Sequence, residues 1–154
     1  MNDVTSGLPF VDEHRLRVAA PVPRTWDALN DWITRTHLGV DSRFARLVGA
    51  EPRGVSGTVP QQGSTVPGFA VTESVPGERL VLAGRHRFSR YAFVFSLAGH
   101  PDGTLLSARS HAVFPKIPGA LYRGLVIGSG AHRVLVRRML RDISRASREP
   151  GSAR

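Results

Sequence analysis

The sequence predicts an α+β domain: an antiparallel β-meander, two short helices after the first strand, and a long C-terminal helix. Three observations carry that reading. Apolar residues alternate with polar ones over residues 14–20, then recur every three or four positions over residues 22–33. Between residues 69 and 114, apolar runs are separated only by turns such as "VPGE" and "HPDG". Connections that short force antiparallel neighbours, because a parallel crossover needs a dozen residues or more. The last long segment sets an apolar stripe at helical spacing opposite a row of arginines.

Each element follows from its residues. In "EHRLRVAAP", Leu16, Val18 and Ala20 alternate with Arg15 and Arg17, the pattern of a half-buried strand. The period then changes. Val22, Trp26, Leu29 and Ile33 form one helical stripe, and Pro23 suits a first helical turn, where its missing N–H costs nothing. "SRFARLV" predicts a second short helix. Residues 51–68 hold Pro52, Pro60, Pro67 and four glycines, so this stretch reads as turns or a ragged hairpin. "FAVTES", "RLVLAGRHRF", "RYAFVFSLA" and "TLLSARSHAVF" then give four strands in succession. The closing helix is predicted from about Pro118 to Ser147, about 45 Å at 1.5 Å per residue.

Strand alternation assigns the faces. In "RLVLAGRHRF", Leu80, Leu82, Gly84, His86 and Phe88 share one face, and Val81, Ala83, Arg85 and Arg87 share the other. The more apolar face belongs inside, which sends Arg85 and Arg87 to solvent and leaves His86 at the inner rim. Tyr91, Phe93, Phe95 and Leu97 are expected to line the same interior. Glu73 shares a face with Phe69 and Val71, as an inward carboxylate or a residue at the hairpin rim. Leu106, Ala108, Ala112 and Phe114 form the more apolar face of the last strand, so Arg109 and His111 are expected outside.

On the closing helix, Leu121, Leu125, Gly128, His132, Leu135, Val136, Met139 and Ile143 fall on one face at 100° per residue. Arg123, Arg137, Arg141, Arg145 and Arg148 lie opposite. His132 sits at the centre of the apolar stripe, with Gly128 one turn before it opening space for a ligand or for the sheet. Each glycine costs a helix roughly 1 kcal/mol against alanine, so Gly124, Gly128 and Gly130 also mark a place where the helix can kink.

The order strand, helix, helix, meander, long helix resembles the START-like, or SRPBCC, helix-grip superfamily, which includes polyketide cyclases and dehydratases, lipid-transport proteins and the birch-pollen-allergen family. "VAAPVPRTWDALND" is similar to its first strand and helix, "VTESVPGERLVLAG" to a Pro-Gly hairpin, and "FPKIPGALYRGLVIGSGAHRVLVRRML" to its closing helix. The likeness spans most of residues 12–147. It implies a curved antiparallel sheet wrapped around the C-terminal helix, with an apolar cavity between them. It also implies a hydrophobic ligand that is lipid-, polyketide- or sterol-like.

Composition bounds the alternatives. A chain of 154 residues is expected to form a single domain, with a core over about residues 10–148 and short flexible termini. No cysteine is present, which excludes disulfides and thiolate metal sites. The start lacks the charged and apolar regions of a secretory signal, and no apolar run reaches the ~20 residues of a membrane helix. A cytoplasmic protein without stable membrane insertion is the expectation. The net charge of +9 raises the question of a polyanion, but all basic residues except Lys116 are arginine, and eight of the 21 fall in residues 117–154. An arginine row without interleaved aromatics predicts a solvated face and no nucleic-acid partner. "VIGSGAH" has Arg133 where a dinucleotide fingerprint needs its third glycine, and "GVSGT" has Thr58 where a nucleophile elbow needs glycine. Six histidines without an H-E-x-x-H pair predict no metal site, and no cofactor is called for.

Three functional readings follow. The first is a binder of a hydrophobic small molecule, its cavity lined by Leu121, Leu125, Gly128, His132, Leu135, Phe69, Glu73, His86, Tyr91, Phe93 and Phe95. The second is a cofactor-independent cyclase or dehydratase in the same cavity. There His132, His86, Tyr91 and Tyr122 are the candidates for acid, base or hydrogen-bond donor. The third is a basic surface interaction module.

Overall fold

A computed structural model describes residues 5–40, 42–114, 124 and 130–149. Strand β1 (Phe10–Val18) leads into helix α1 (Val22–Thr36) and then helix α2 (Ser42–Val48). The chain continues through β2 (Thr65–Val66), β3 (Phe69–Val75), β4 (Arg79–His86), β5 (Ser89–His100) and β6 (Gly103–Val113), and α3 (Ala131–Arg148) follows. The six strands form one antiparallel sheet in the order β1-β6-β5-β4-β3-β2. Residues 69–113 are a continuous meander, and the first strand returns to its far edge beside β6. With α1 and α3 packed together over the sheet, this is an α+β helix-grip architecture.

Local chemistry explains the element boundaries. Helix α1 carries a proline in its first turn and stops where His37 turns left-handed, at φ 49°. Helix α3 starts at Ala131 because Gly130 adopts φ 74°, a value no helix interior accommodates. The helix predicted from Pro118 therefore does not run unbroken through Gly130. Its upstream half falls outside the described residues, Gly124 excepted.

The core fills the concave side of the sheet. Trp26, Leu29 and Ile33 of α1 meet Val136, Met139, Leu140 and Ile143 of α3 above Leu80, Leu82, Phe95, Leu97 and Leu106. Each such side chain contributes roughly 1.5–3 kcal/mol by leaving water. Leu135 is a correction to the predicted stripe, being 64 % exposed, whereas Leu140, which the stripe omitted, is 2 % exposed. The buried line runs through residues 136, 140, 143 and 147, so it is turned away from position 135.

Two β-bulges set the register of the inner face. One falls between Phe10 and Asp12, the other between Val71 and Glu73. An extra residue reverses the direction of every side chain beyond it. Glu73 is thus placed opposite Val81 on the outer face, where it pairs with Arg79 at 3.1 Å. It does not belong with Phe69 and Val71 on the inside. The outer row reads Glu13, Arg109, Val94, Val81, Glu73 across five strands, and the inner row reads Asp12, Ser110, Phe93, Leu82, Val71.

The basic cluster around residues 85–90 resolves simply. Arg85, Arg87 and Arg90 are exposed, and Arg85 pairs with Glu51. Phe88 sits in the two-residue turn between β4 and β5 and is exposed, not inward. His86 alone of the group turns partly inside.

Candidate functional site

At the end of the sheet where α3 begins, solid packing gives way to a cavity of about 230 Å³. Phe69, His86, Tyr91 and Phe93 line it from the sheet, together with Ser110, Ala112 and Phe114. Phe44 and Val48 of α2 cover it, and His132 of α3 closes it. Helix α2 is held there by the Arg87 N–H, which donates to the Val48 carbonyl at 3.0 Å, and by paired backbone bonds between Glu51 and Arg85.

The aromatic wall is a contiguous set. Phe69 meets Tyr91 edge-on at 5.1 Å and Phe93 at 5.8 Å between centroids, and Phe93 stacks on Phe95 at 6.2 Å. Such pairs add roughly 0.5–1.5 kcal/mol each beyond their area. The Tyr91 hydroxyl donates to the Gly68 carbonyl at 2.9 Å. That close approach depends on Gly84, where any Cβ would overlap the same carbonyl oxygen and stand 2.9 Å from the Tyr91 ring.

The polar end of the cavity is built on β1 and β6. Asp12, His14, Leu16 and Val18 share one parity of β1, so the bulge before Asp12 brings its carboxylate to the inner face beside Ser110. His14 Nε2 stands 3.0 Å from Asp12 Oδ2. His132 Nε2 reaches across from α3, 3.3 Å from Asp12 Oδ1 and 3.1 Å from Ser110 Oγ. The His132 ring lies nearly parallel to Phe93, 20° between planes at 6.2 Å. Burial opposes the Asp12 charge. The attraction of His132, hydrogen bonds from His14 and Ser110, and the attraction of His14 together outweigh it and hold the carboxyl below the ordinary aspartate value.

An ionised carboxylate only accepts hydrogen bonds, so His14 and His132 both carry their proton on Nε2. Ser110 and Asp12 meet the same nitrogen of His132. A nucleophilic triad needs serine on one ring nitrogen and carboxylate on the other, and this arrangement is therefore not one. Asp12, His14 and His132 also satisfy one another, and no group of three His, Cys, Asp or Glu among the described residues is arranged to hold a metal ion.

His86 occupies the opposite rim. Its Nδ1 accepts the Phe88 N–H at 3.1 Å, which places the proton of the neutral ring on Nε2, and its ring lies 5.5 Å from Tyr91. Burial pushes its pKa down.

The structure thus brings together His132, His86, Tyr91, Phe93 and Phe69 of the candidate residues. Phe95 is fully buried in the core beneath the cavity wall, Leu135 borders a second groove between α1 and α3 that shares Phe93 and His132 with the cavity, and Glu73 is on the outer face. Leu121, Tyr122, Leu125 and Gly128 lie outside the described residues. Arg109 is exposed on the outer face, paired with Glu13 at 3.2 Å. His111 leans on Phe10 and borders the cavity. Sequence reasoning missed Asp12, His14 and Ser110. Their signal was parity: Asp12 and His14 continue the Leu16–Val18 alternation, and Ser110 continues that of Leu106 and Ala108.

No family model and no curated protein matches the sequence. Solved structures do match the fold. A protein of Chromobacterium violaceum superposes with a TM-score of 0.57 at 18% identity, covering 93% of this chain and 100% of its own. A protein of Rhizobium leguminosarum gives a TM-score of 0.60 at 14% identity, covering 90% and 94%. A third, from Mesorhizobium loti, gives 0.55 at 12% identity over 87% and 96%. At these identities the likeness concerns the fold, and it extends over nearly the whole chain. Among the described residues no helix is long and apolar enough to cross a membrane.

Proposed function

We propose that this protein binds a hydrophobic small molecule in the cavity between the sheet, α2 and the start of α3. The observation that carries the reading is the contrast within one lining: a wall of Phe44, Phe69, Tyr91, Phe93 and Phe114, with Ser110 and His132 at one end and His86 at the opposite rim. Few polar groups in an apolar concavity orient a ligand without binding it by charge. The superfamily resemblance points to lipid-, polyketide- or sterol-like molecules. A volume of about 230 Å³ favours the smaller of these, since pockets for drug-sized ligands measure roughly 300–1,000 Å³.

The test is binding of the neutral fluorophore N-phenyl-1-naphthylamine to the wild type and to Ala112→Trp, whose added ring would fill the cavity. Saturable binding in the wild type, lost in the folded variant, supports the proposal. Equal signals from both, or none from either, would sink it.

One observation favours a second reading, cofactor-independent acid–base catalysis. A carboxylate held ionised orients the His132 imidazole at the cavity wall, and an oriented imidazole suits proton transfer near neutral pH. Cyclisation or dehydration of a bound ligand by the wild type, absent in His132→Phe at ligand concentrations that saturate the variant, would establish it. The basic-module reading has less support, because the arginines of α3 are exposed without an aromatic side chain among them for base stacking.

A further inference from the structure

We infer that Nδ1 of His132 is the basic hydrogen-bond acceptor of the cavity wall, and that its occupant is a neutral apolar molecule carrying an O–H or N–H donor. The inference rests on the ligand reading above and names the chemistry of the ligand. It comes from accounting for the protons at the polar end.

Asp12 is acceptor-only when ionised, so the His132 Nε2 that faces it at 3.3 Å must be the protonated nitrogen. The same N–H is shared with Ser110 Oγ, whose own proton goes to Asp12. In the neutral ring this leaves the lone pair on Nδ1, which has no partner among the described residues. Stacking against Phe93 holds the ring plane, and the contacts of Nε2 with Asp12 and Ser110 fix its rotation, so the acceptor is fixed in place before a ligand arrives.

The neighbouring hydroxyls donate elsewhere and keep only their weaker oxygen lone pairs for a ligand donor, whereas the imidazole lone pair is the more basic acceptor. The Tyr91 hydroxyl hydrogen goes to the Gly68 carbonyl and the Ser89 hydroxyl hydrogen to the Arg90 carbonyl. His111 Nδ1 faces the Leu8 carbonyl at 3.3 Å and so acts as a donor there. No lysine or arginine is among the described residues that line the cavity. A carboxylate ligand at His132 would stand near the Asp12 charge, which disfavours an anion there.

The test compares 1-naphthol with 1-methylnaphthalene, two probes of one shape that differ in a single donor. Their affinities for the wild type and for His132→Phe are measured by titration calorimetry at pH 8, above the ordinary imidazole range. The ratio of the two dissociation constants cancels their difference in hydrophobicity. The preference for naphthol is expected to fall about 3- to 10-fold in the variant, the worth of one neutral hydrogen bond, with methylnaphthalene affinity kept. 1-Naphthoate is expected to bind weakest to both proteins. An unchanged ratio overturns the donor inference and leaves the cavity reading standing. Failure of both neutral probes to bind the wild type overturns the two together. Should the variant not fold, two-bond ¹H–¹⁵N correlation of the wild-type histidines decides: the Nε2–H tautomer at His132 supports the inference, and the Nδ1–H tautomer overturns it.

Discussion

Replacing Asp12 with asparagine tests the polar end of the cavity most directly. The shapes are the same, but an amide presents one acceptor and one donor where the carboxylate presents two acceptors. Whichever way it turns, its NH₂ faces an imidazole N–H, either that of His14 at 3.0 Å from Oδ2 or that of His132 at 3.3 Å from Oδ1. At least one charge-assisted bond is lost and one imidazole must change tautomer or stay unpaired. A hydrogen bond to a charged group is worth about 1.5–3 kcal/mol. Asp12 keeps 18% of its side-chain surface in water, which lowers the expectation to about 1–2 kcal/mol once solvent screening is allowed for. For a domain of this size that is a drop of roughly 2–8 °C in melting temperature. Calorimetry at pH 7 and urea unfolding should agree on the loss. The loss should also be non-additive with His14→Phe, because both changes break the same bond. A melting point within about 1 °C of wild type, where the estimate demands more, would show that Asp12 is solvated and does not organise the two rings.

Acid should act on the same group. The folded-state pKa of Asp12 is depressed, so its contribution is complete above the unfolded value near 4 and is lost as pH falls through the folded value. The stability gap between wild type and Asp12→Asn, read from urea midpoints, should therefore begin to close as pH falls below about 5 and go on closing through the depressed folded value. A gap that stays constant would contradict the assignment. Gly84→Ala is expected to cost several kcal/mol or abolish folding, since its Cβ would overlap backbone at Gly68, while Gly99→Ala meets open space and should be stabilising by about 0.5–1 kcal/mol. Comparable melting points for the two variants would refute the close approach. Leu140→Ala should lose about 2–5 kcal/mol and Leu135→Ala less than about 0.5 kcal/mol, and urea midpoints that reverse this order would return Leu135 to the buried stripe.

Fold elements were legible in the sequence wherever burial imposes a period. The meander over residues 69–113, the stripe of Trp26, Leu29 and Ile33, and the exposed Arg85 and Arg87 all follow from alternation and turn length. Errors arose where one extra residue or one glycine changes the phase. Glu73 reads as inward by counting from Phe69, and only the bulge after Val71 reverses it. Bulges leave no mark on hydrophobic period, because the residue they add is often as apolar or polar as its neighbours. Likewise the wheel for the last helix was phased from residue 121, across Gly130, whose left-handed backbone breaks the helix. A wheel started at Ala131 brings Leu140 in and leaves Leu135 at the margin.

The site was less legible, and the reason is physical. Apolar periodicity locates an inner face by its hydrophobic members, so a polar residue on that face looks like the end of the strand. Asp12 and His14 were passed over on that ground, although they keep the parity of Leu16 and Val18 without a break. Burial of a carboxylate is costly unless it is paired and hydrogen-bonded. An inward Asp12 therefore requires donors, and His14 two residues along the same face is the nearest one the chain can supply. Ser110 answers from the neighbouring strand by the same parity, and His132 from the helix. Each of the three is a weak signal alone. Together they satisfy one carboxylate, and that mutual satisfaction fixes the ring of His132 at the wall of an aromatic cavity.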